Sequence, residues 1–165
     1  MPEINTATSQ DGIRSKRKIG NAVSEFGWEE SLEIGIDDLD EDHKKLFEML
    51  DEFGLAASAA ADFTQLQVLI SEIRGFFVAH IRKEDEIMGK LTSGLSLEHK
   101  SKHEQEHGAY LFVLDQISEM LRTGQWESAR DNAVGLKKLM FFRELVNTDY
   151  EMVRCMIQEG IFKPE

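Results

Sequence analysis

Both prolines of this chain lie at its ends, at positions 2 and 164, and the whole stretch between them contains none. Proline disrupts the interior of helices and strands, so its absence permits long regular elements. No strand-like alternation persists, whereas apolar residues recur at helical spacing, as at Leu46, Met49, Leu50 and Phe53. The sequence therefore predicts an all-α protein.

Short breaks divide the periodic stretch into four helices. They are predicted from Asp38 to Ala61, from an N-cap at Asp62 to Met88, from near Ser96 to Arg122, and from about Trp126 to Gln158. Gly124 is a suitable residue to follow the third helix. Helices of about 20 residues with short connections pack antiparallel. We predict an up-down-up-down four-helix bundle over residues 26–160, preceded by a flexible, polar N-terminal extension over residues 1–25.

The charge and composition of the chain exclude several classes of partner. The net charge is −12, with 31 acidic and 19 basic residues, so the surface should repel nucleic acid and anionic lipid. No window approaches the roughly 20 apolar residues needed to cross a bilayer, and the N-terminus lacks the apolar core of a secretory signal. The single cysteine, Cys155, is interpreted as a buried apolar residue. Together these features predict a soluble cytoplasmic protein.

Ionisable residues interrupt the apolar stripes of the predicted helices. His80 and Glu84 extend the stripe of the second helix, His103 and His107 repeat the four-residue spacing on the third, and His43 lies on the first. Buried imidazoles and carboxylates are costly unless they are satisfied. A metal ion would satisfy them, and this donor set, without thiolate, suits iron, manganese or zinc. Bundle interiors are also where di-iron carboxylate sites are built.

Each signal also has a simpler interpretation. His80 and Glu84 alone could form a surface pair, His99, His103 and His107 could lie on a solvated face, and His43 could be an ordinary interior histidine. The coincidence of all of these on several helices favours the metal site.

At this point the motifs resemble those of a known family. The chain resembles bacterial hemerythrins over about residues 26–155. The matching motifs are Trp28-Glu-Glu-Ser31-x2-Ile34-Gly-Ile36-x3-Asp40-x2-His43-Lys-x-Leu46, His80-x3-Glu84-x3-Met88, His103-Glu-Gln-Glu106-His107-Gly-Ala-Tyr110 and Leu145-x2-Thr148-Asp149.

The resemblance implies a pair of non-haem iron ions joined by an oxo or hydroxo bridge. One iron, with an open position, would be bound by His43 and His80, and the other by His103 and His107. Glu84 and Asp149 would bridge both ions.

Two departures from the family pattern leave alternatives open. His99 and His103 also have the required spacing, although that register would put Glu106 where the family has an aromatic residue. The family's fourth-helix histidine, five residues before the final aspartate, is Glu144 here. Glu144 could replace it as a ligand, the spare His99 could be recruited, or Glu144 could face solvent while a water completes the site.

The resemblance further implies dioxygen, or another small oxidant, as the ligand of the open iron. We expect a binding protein, a carrier, store or sensor, rather than an enzyme. The alternatives are a di-iron redox enzyme acting on peroxide, nitric oxide or dioxygen, and an interaction protein that has lost its metal. A sensor or enzyme would need a separate signalling or reductase partner. The predicted apolar wall of the site comprises Phe76, Phe77, Phe112, Leu114 and Phe141.

Overall fold

A computed structural model describes residues 28–59 and 62–163, apart from the side chain of Phe141. The predicted extension over residues 1–25 lies outside the described residues. The elements are a 3₁₀ turn at Glu30–Leu32, α1 at Asp37–Ser58, α2 at Phe63–Met88, α3 at Gly94–Arg122, α4 at Trp126–Leu139, a π-helical segment at Met140–Asp149 and α5 at Tyr150–Gln158. No residue in the described ranges is in a strand, and the all-α prediction is confirmed.

The helices form a ring of antiparallel neighbours. Helix α1 packs against α2, α2 against α3 and α3 against α4, and α4 returns to pack against α1. The π-helical segment and α5 continue α4 along α3. This is the arrangement expected for an up-down-up-down bundle. No helix in the described ranges is both long enough and apolar enough to span a bilayer.

The ends of α3 are fixed by local hydrogen bonds. The helix begins slightly earlier than predicted, because Ser93 is its N-cap and accepts a hydrogen bond from the Ser96 backbone N–H at 3.2 Å. At its other end Gly124 has a φ of 76°. The Gly124 and Gln125 amides donate to the carbonyls of Leu121 and Met120 in a Schellman motif, so glycine has the predicted role there.

The apolar core is divided into two clusters along the bundle axis. The larger is built from buried residues of α1 to α4 and the first residue of the π-helical segment, and it includes Leu46, Phe77, Tyr110 and Met140. The smaller lies at the other end and includes Leu39, Met88, Met152 and the buried Cys155. Between them lies a layer of buried ionisable side chains.

The fourth helix departs from the prediction of one continuous α-helix from Trp126 to Gln158. Its middle third, Met140–Asp149, is π-helical. A π-helix, with i→i+5 hydrogen bonds, has wider turns and is found mainly in short stretches at functional sites. The side chains reinforce the wider turn, because Asn147 Nδ2 donates to the carbonyl of Phe142 at 2.6 Å.

Glu159, one residue beyond α5, ties that end of the chain to the start of α3. Its carboxylate accepts hydrogen bonds from the backbone N–H groups of Thr92 and Ser93 and from the hydroxyl of Ser96. A carboxylate is also favoured at a helix N-terminus by the helix dipole. These hydrogen bonds lower the pKa of Glu159 from 4.5 to about 2.

We expect Glu159→Gln to lower the melting temperature by a few degrees at neutral pH. A carboxyl whose pKa is lowered on folding contributes stability that is complete above its unfolded pKa of 4.5 and is lost as pH falls towards 2. In urea titrations, the difference in free energy of unfolding between wild type and Glu159→Gln should therefore become smaller below pH 4.5. Glu72→Gln, exposed on α2, is the control. If this difference in free energy of unfolding stayed constant down to acid pH, the stabilising role of the ionised Glu159 carboxylate would be contradicted.

Candidate metal centre

The ionisable layer is built from residues of α1, α2, α3 and the π-helical segment. On α1, His43 lies between Leu39 of the smaller cluster and Leu46 of the larger. On α2, His80 and Glu84 lie between the same two clusters. The amphipathic period carries these residues inward with the apolar stripe, so the fold buries them. All seven predicted ligands are at most 2% exposed: His43, His80, Glu84, His103, His107, Glu144 and Asp149.

Three of these residues form a first group that could hold a metal ion. His43, His80 and Glu84 each offer one donor atom, and these atoms lie within 4.8 Å of one another. His80 Nε2 lies 3.3 Å from Glu84 Oε1. The rings of His43 and His80 meet edge to face, with centroids 4.6 Å apart.

A second group of four donors shares Glu84 with the first. It comprises His103, His107, Glu144 and Glu84, with the same 4.8 Å limit. His107 Nε2 lies 2.9 Å from both Glu84 Oε2 and Glu144 Oε1. His103 Nε2 lies 3.6 Å from Glu84 Oε2. Glu84 thus directs one oxygen to each group.

Asp149 also contacts histidines of both groups. Its Oδ2 lies 3.2 Å from His43 Nε2, and its Oδ1 lies 3.2 Å from His103 Nε2. Glu84 and Asp149 are therefore the two carboxylates that contact histidines of both groups, and each does so with separate oxygens.

The π-helical segment explains how Glu144 and Asp149 reach one centre. In an α-helix, with 3.6 residues per turn, side chains five positions apart point about 140° away from each other. The wider π turn, with its i→i+5 hydrogen bonds, brings residues five apart much closer to one face. Glu144 consequently faces His107 of α3, and Asp149 faces His43 of α1 and His103 of α3.

The buried carboxylates of the centre favour positive charge close to them. Burial alone would lower the pKa of His80, but the charge of Glu84 and contacts with Asp42 and Glu84 raise it to about 10. Burial would likewise lower the pKa of His107, but its contacts with Glu144 and Glu84 raise it to about 10. The carboxylates therefore draw protons onto buried imidazoles, and a divalent cation would supply the same charge.

Glu144 differs from the other two carboxylates. Burial, together with the negative charges of Asp149 and Glu84, raises its pKa despite the contact with His107. Burial would also raise the pKa of Glu84, but its contacts with histidines lower it well below 4.5. Crowding of three buried carboxylates is unfavourable unless a cation lies among them.

The donor atoms fit a metal in number, type and environment. Both ring nitrogens of His43 and His103, both oxygens of Glu84 and both oxygens of Asp149 are buried without a hydrogen-bond partner in the described part of the chain. Such atoms are rare in folded proteins unless an ion or water satisfies them. Imidazole and carboxylate donors without a thiolate suit iron, manganese or zinc.

The structure also bears on the alternatives. His99 is buried but belongs to neither group, with its ring 5.5 Å from that of His103. The geometry thus gathers His103 and His107 rather than His99 and His103. Glu144 is 1% exposed and lies in the second group, so the solvent-facing interpretation is wrong.

The predicted apolar wall is only partly correct. The ring of Phe77 lies 6.0 Å from that of His80 and 5.8 Å from that of His107, and Leu114 is buried. Phe76 is partly buried against the larger cluster. Phe112 is 63% exposed, so its prediction was wrong. It lies two positions after the buried Tyr110, about 200° around the helix. The side chain of Phe141 lies outside the described residues.

No contact beside the centre was predicted for two polar side chains, Asp42 and Thr148. Asp42 Oδ2 lies 3.5 Å from His80 Nδ1, a contact between α1 and α2. The Thr148 hydroxyl lies 2.6 Å from Glu106 Oε2 on α3. Asp42 is adjacent to His43 in the sequence, but its partner is 38 positions away, which no local pattern reveals.

Comparisons with known proteins agree with this geometry. Residues 34–149 match the family described as the hemerythrin HHE cation-binding domain. Curated hemerythrin-like proteins of Naegleria gruberi and Naegleria fowleri are each 29% identical over 82 residues, covering 50% of this chain and 63% of theirs. A bacteriohemerythrin of Stenotrophomonas maltophilia is 28% identical over 102 residues, covering 58% of this chain and 66% of its own.

The chain therefore spans slightly less than two thirds of the length of these relatives. No solved structure matches significantly. The family match covers more than half of the chain and includes all seven buried ligand candidates. On this basis the chain belongs to the hemerythrin HHE cation-binding domain family.

Proposed function

We propose that this protein binds two non-haem iron ions and that the reduced pair binds dioxygen, as a carrier, store or sensor. His43 and His80 would hold one ion, and His103, His107 and Glu144 the other. Glu84 and Asp149 would bind both. An iron pair with an open coordination position supplies electrons and a binding site for a small oxidant.

The unequal size of the two donor groups is the observation that carries the proposal. Excluding the shared carboxylates, the first group offers two histidines, whereas the second offers two histidines and Glu144. Iron accepts more donors than the first group provides. The unused position should therefore lie beside His43 and His80, and a small ligand would bind there.

The surrounding residues orient the histidines and limit access of water. Phe77 packs against the rings of His80 and His107. Trp28, in the segment before α1, stacks against His43 with ring centroids 6.5 Å apart and packs edge to face on Phe47. A dry pocket protects a reduced metal pair from unproductive oxidation.

The test is anaerobic loading of the full chain with ferrous iron. We expect about two irons per chain, an optical change when dioxygen is added, and its reversal when the gas is removed. Iron retention without any optical response to dioxygen would contradict the proposed ligand. Failure to retain iron would contradict the proposed metal.

Glu144 favours a second candidate, a di-iron redox enzyme acting on peroxide, nitric oxide or dioxygen. Its buried carboxylate replaces a neutral imidazole by an anionic donor, which favours the ferric state. Steady-state consumption of one of these oxidants in the presence of a reductant would support turnover. Stoichiometric and reversible uptake would instead support binding.

A further inference from the structure

His80 has a carboxylate oxygen close to each of its two ring nitrogens. Nε2 faces Glu84 within the centre at 3.3 Å, and Nδ1 faces Asp42 Oδ2 at 3.5 Å. The other three ligand histidines differ, because their ion-pair contacts in the described residues run through Nε2 to carboxylates of the centre itself. One of the four imidazoles is therefore also under the influence of a carboxylate outside the centre.

The carboxylate behind His80 is itself paired with a cation. The same Oδ2 atom of Asp42 lies 2.7 Å from Lys83 Nζ. The exposed fraction rises outward along these contacts, from 0% for the His80 side chain through 12% for Asp42 to 46% for Lys83. A line of polar contacts, from Lys83 through Asp42 to His80, thus leads from solvent to the centre.

Such contacts would shift the reduction potential of a metal bound to His80 in a defined direction. A carboxylate at the outer nitrogen of a metal-bound histidine orients the ring and makes it a stronger donor. A stronger donor stabilises the oxidised metal and lowers its reduction potential. An ammonium group on that carboxylate opposes the effect, since it withdraws negative charge from the same oxygen atom.

We propose that Asp42 and Lys83 are an opposed pair of positioning residues that sets how strongly His80 donates to its metal. Asp42 lowers the reduction potential of that metal, and Lys83 raises it by acting on Asp42. The inference rests on the metal centre proposed above. It concerns the ion of His43 and His80, where the open position is expected.

The test uses the iron-loaded full chain with Asp42→Asn, Lys83→Met and the double variant. The measurement is the midpoint potential from optical redox titration. Asp42→Asn should raise the potential, changing the oxidised-to-reduced ratio about tenfold at fixed applied potential, which is about 59 mV for a one-electron couple. Lys83→Met should shift the potential in the opposite direction. In the double variant the lysine change should have little further effect, because its action passes through Asp42.

Lys45→Met is the matched control, because it removes a charge from a side chain 53% exposed on α1. Equal shifts in Lys83→Met and Lys45→Met would overturn the proposal, as would shifts of the same sign for Asp42→Asn and Lys83→Met. The midpoint potential of Asp42→Glu should lie between those of Asp42→Asn and wild type, because glutamate keeps the carboxylate.

A readout with zinc separates this inference from the proposed function. Asp42→Asn should weaken zinc binding by about tenfold, whether or not the iron form binds dioxygen. If the wild-type protein retained iron but showed no optical response to dioxygen, the proposed function would be contradicted and the opposed pair would not. Unchanged potential and zinc affinity in all variants would contradict the opposed pair alone.

Discussion

Replacing Glu84 with glutamine is expected to remove both metal ions. Glu84 belongs to both donor groups, and its two oxygens face His80 on one side and His103 and His107 on the other. An amide retains the shape but loses the charge and one oxygen donor. Because each ion loses an anionic ligand, we expect affinity to fall by more than about 100-fold and the iron content to fall towards zero, as measured by metal analysis after desalting.

Glu86→Gln is the matched control for this experiment, because Glu86 is exposed on the same helix. It should retain wild-type iron content. Helical circular dichroism should persist in Glu84→Gln, since apolar clusters flank the ionisable layer on both sides. Retention of one tightly bound iron by Glu84→Gln would show that Glu84 serves one ion only.

Replacing Glu144 with histidine is expected to slow oxidation of the reduced protein in air. The buried carboxylate is an anionic donor that stabilises ferric iron, and imidazole is neutral. A change of about 1.4 kcal/mol in barrier corresponds to about a tenfold change in rate, and we expect a slowing of that order. The measurement is stopped-flow absorbance after mixing anaerobically reduced protein with air-saturated buffer.

Glu144→Gln separates the effect of charge from the effect of ligand type. The amide is neutral and close to glutamate in size, so slowing in both variants would assign the effect to charge. Slowing in the histidine variant alone would assign it to the imidazole. Equal or faster oxidation in Glu144→His would contradict the proposed role of the carboxylate.

The fold was predictable because its determinants are local. These determinants are the helical spacing of apolar residues, the glycine that ends α3 and the short connections, and each depends only on neighbouring positions. The inward direction of His80 and Glu84 followed from the same spacing, because they continue a stripe that the core requires to be buried.

The features that escaped prediction depend on contacts between helices. The π-helical segment leaves no periodic signal over only ten residues. The sequence predicts His107 as a ligand with His99 as an open alternative, and the choice depends on how α3 is rotated against α2, which places His107 beside Glu84. Asp42 follows an acidic first turn of α1 and is one of several acidic residues there, and only the packing of α1 on α2 brings it to His80.

The π-helical segment also changes how the last part of the chain relates to the rest. Its wider turns place the residues after Asp149 out of phase with the face that α4 presents. The inward side chains of α5, Met152, Val153, Cys155 and Met156, therefore cannot be found by extending the α4 pattern. If α4 and α5 were treated as one continuous α-helix, the buried and exposed faces of α5 would be assigned incorrectly. Chimeras joined across residues 140–149 must therefore preserve the number of residues in that segment.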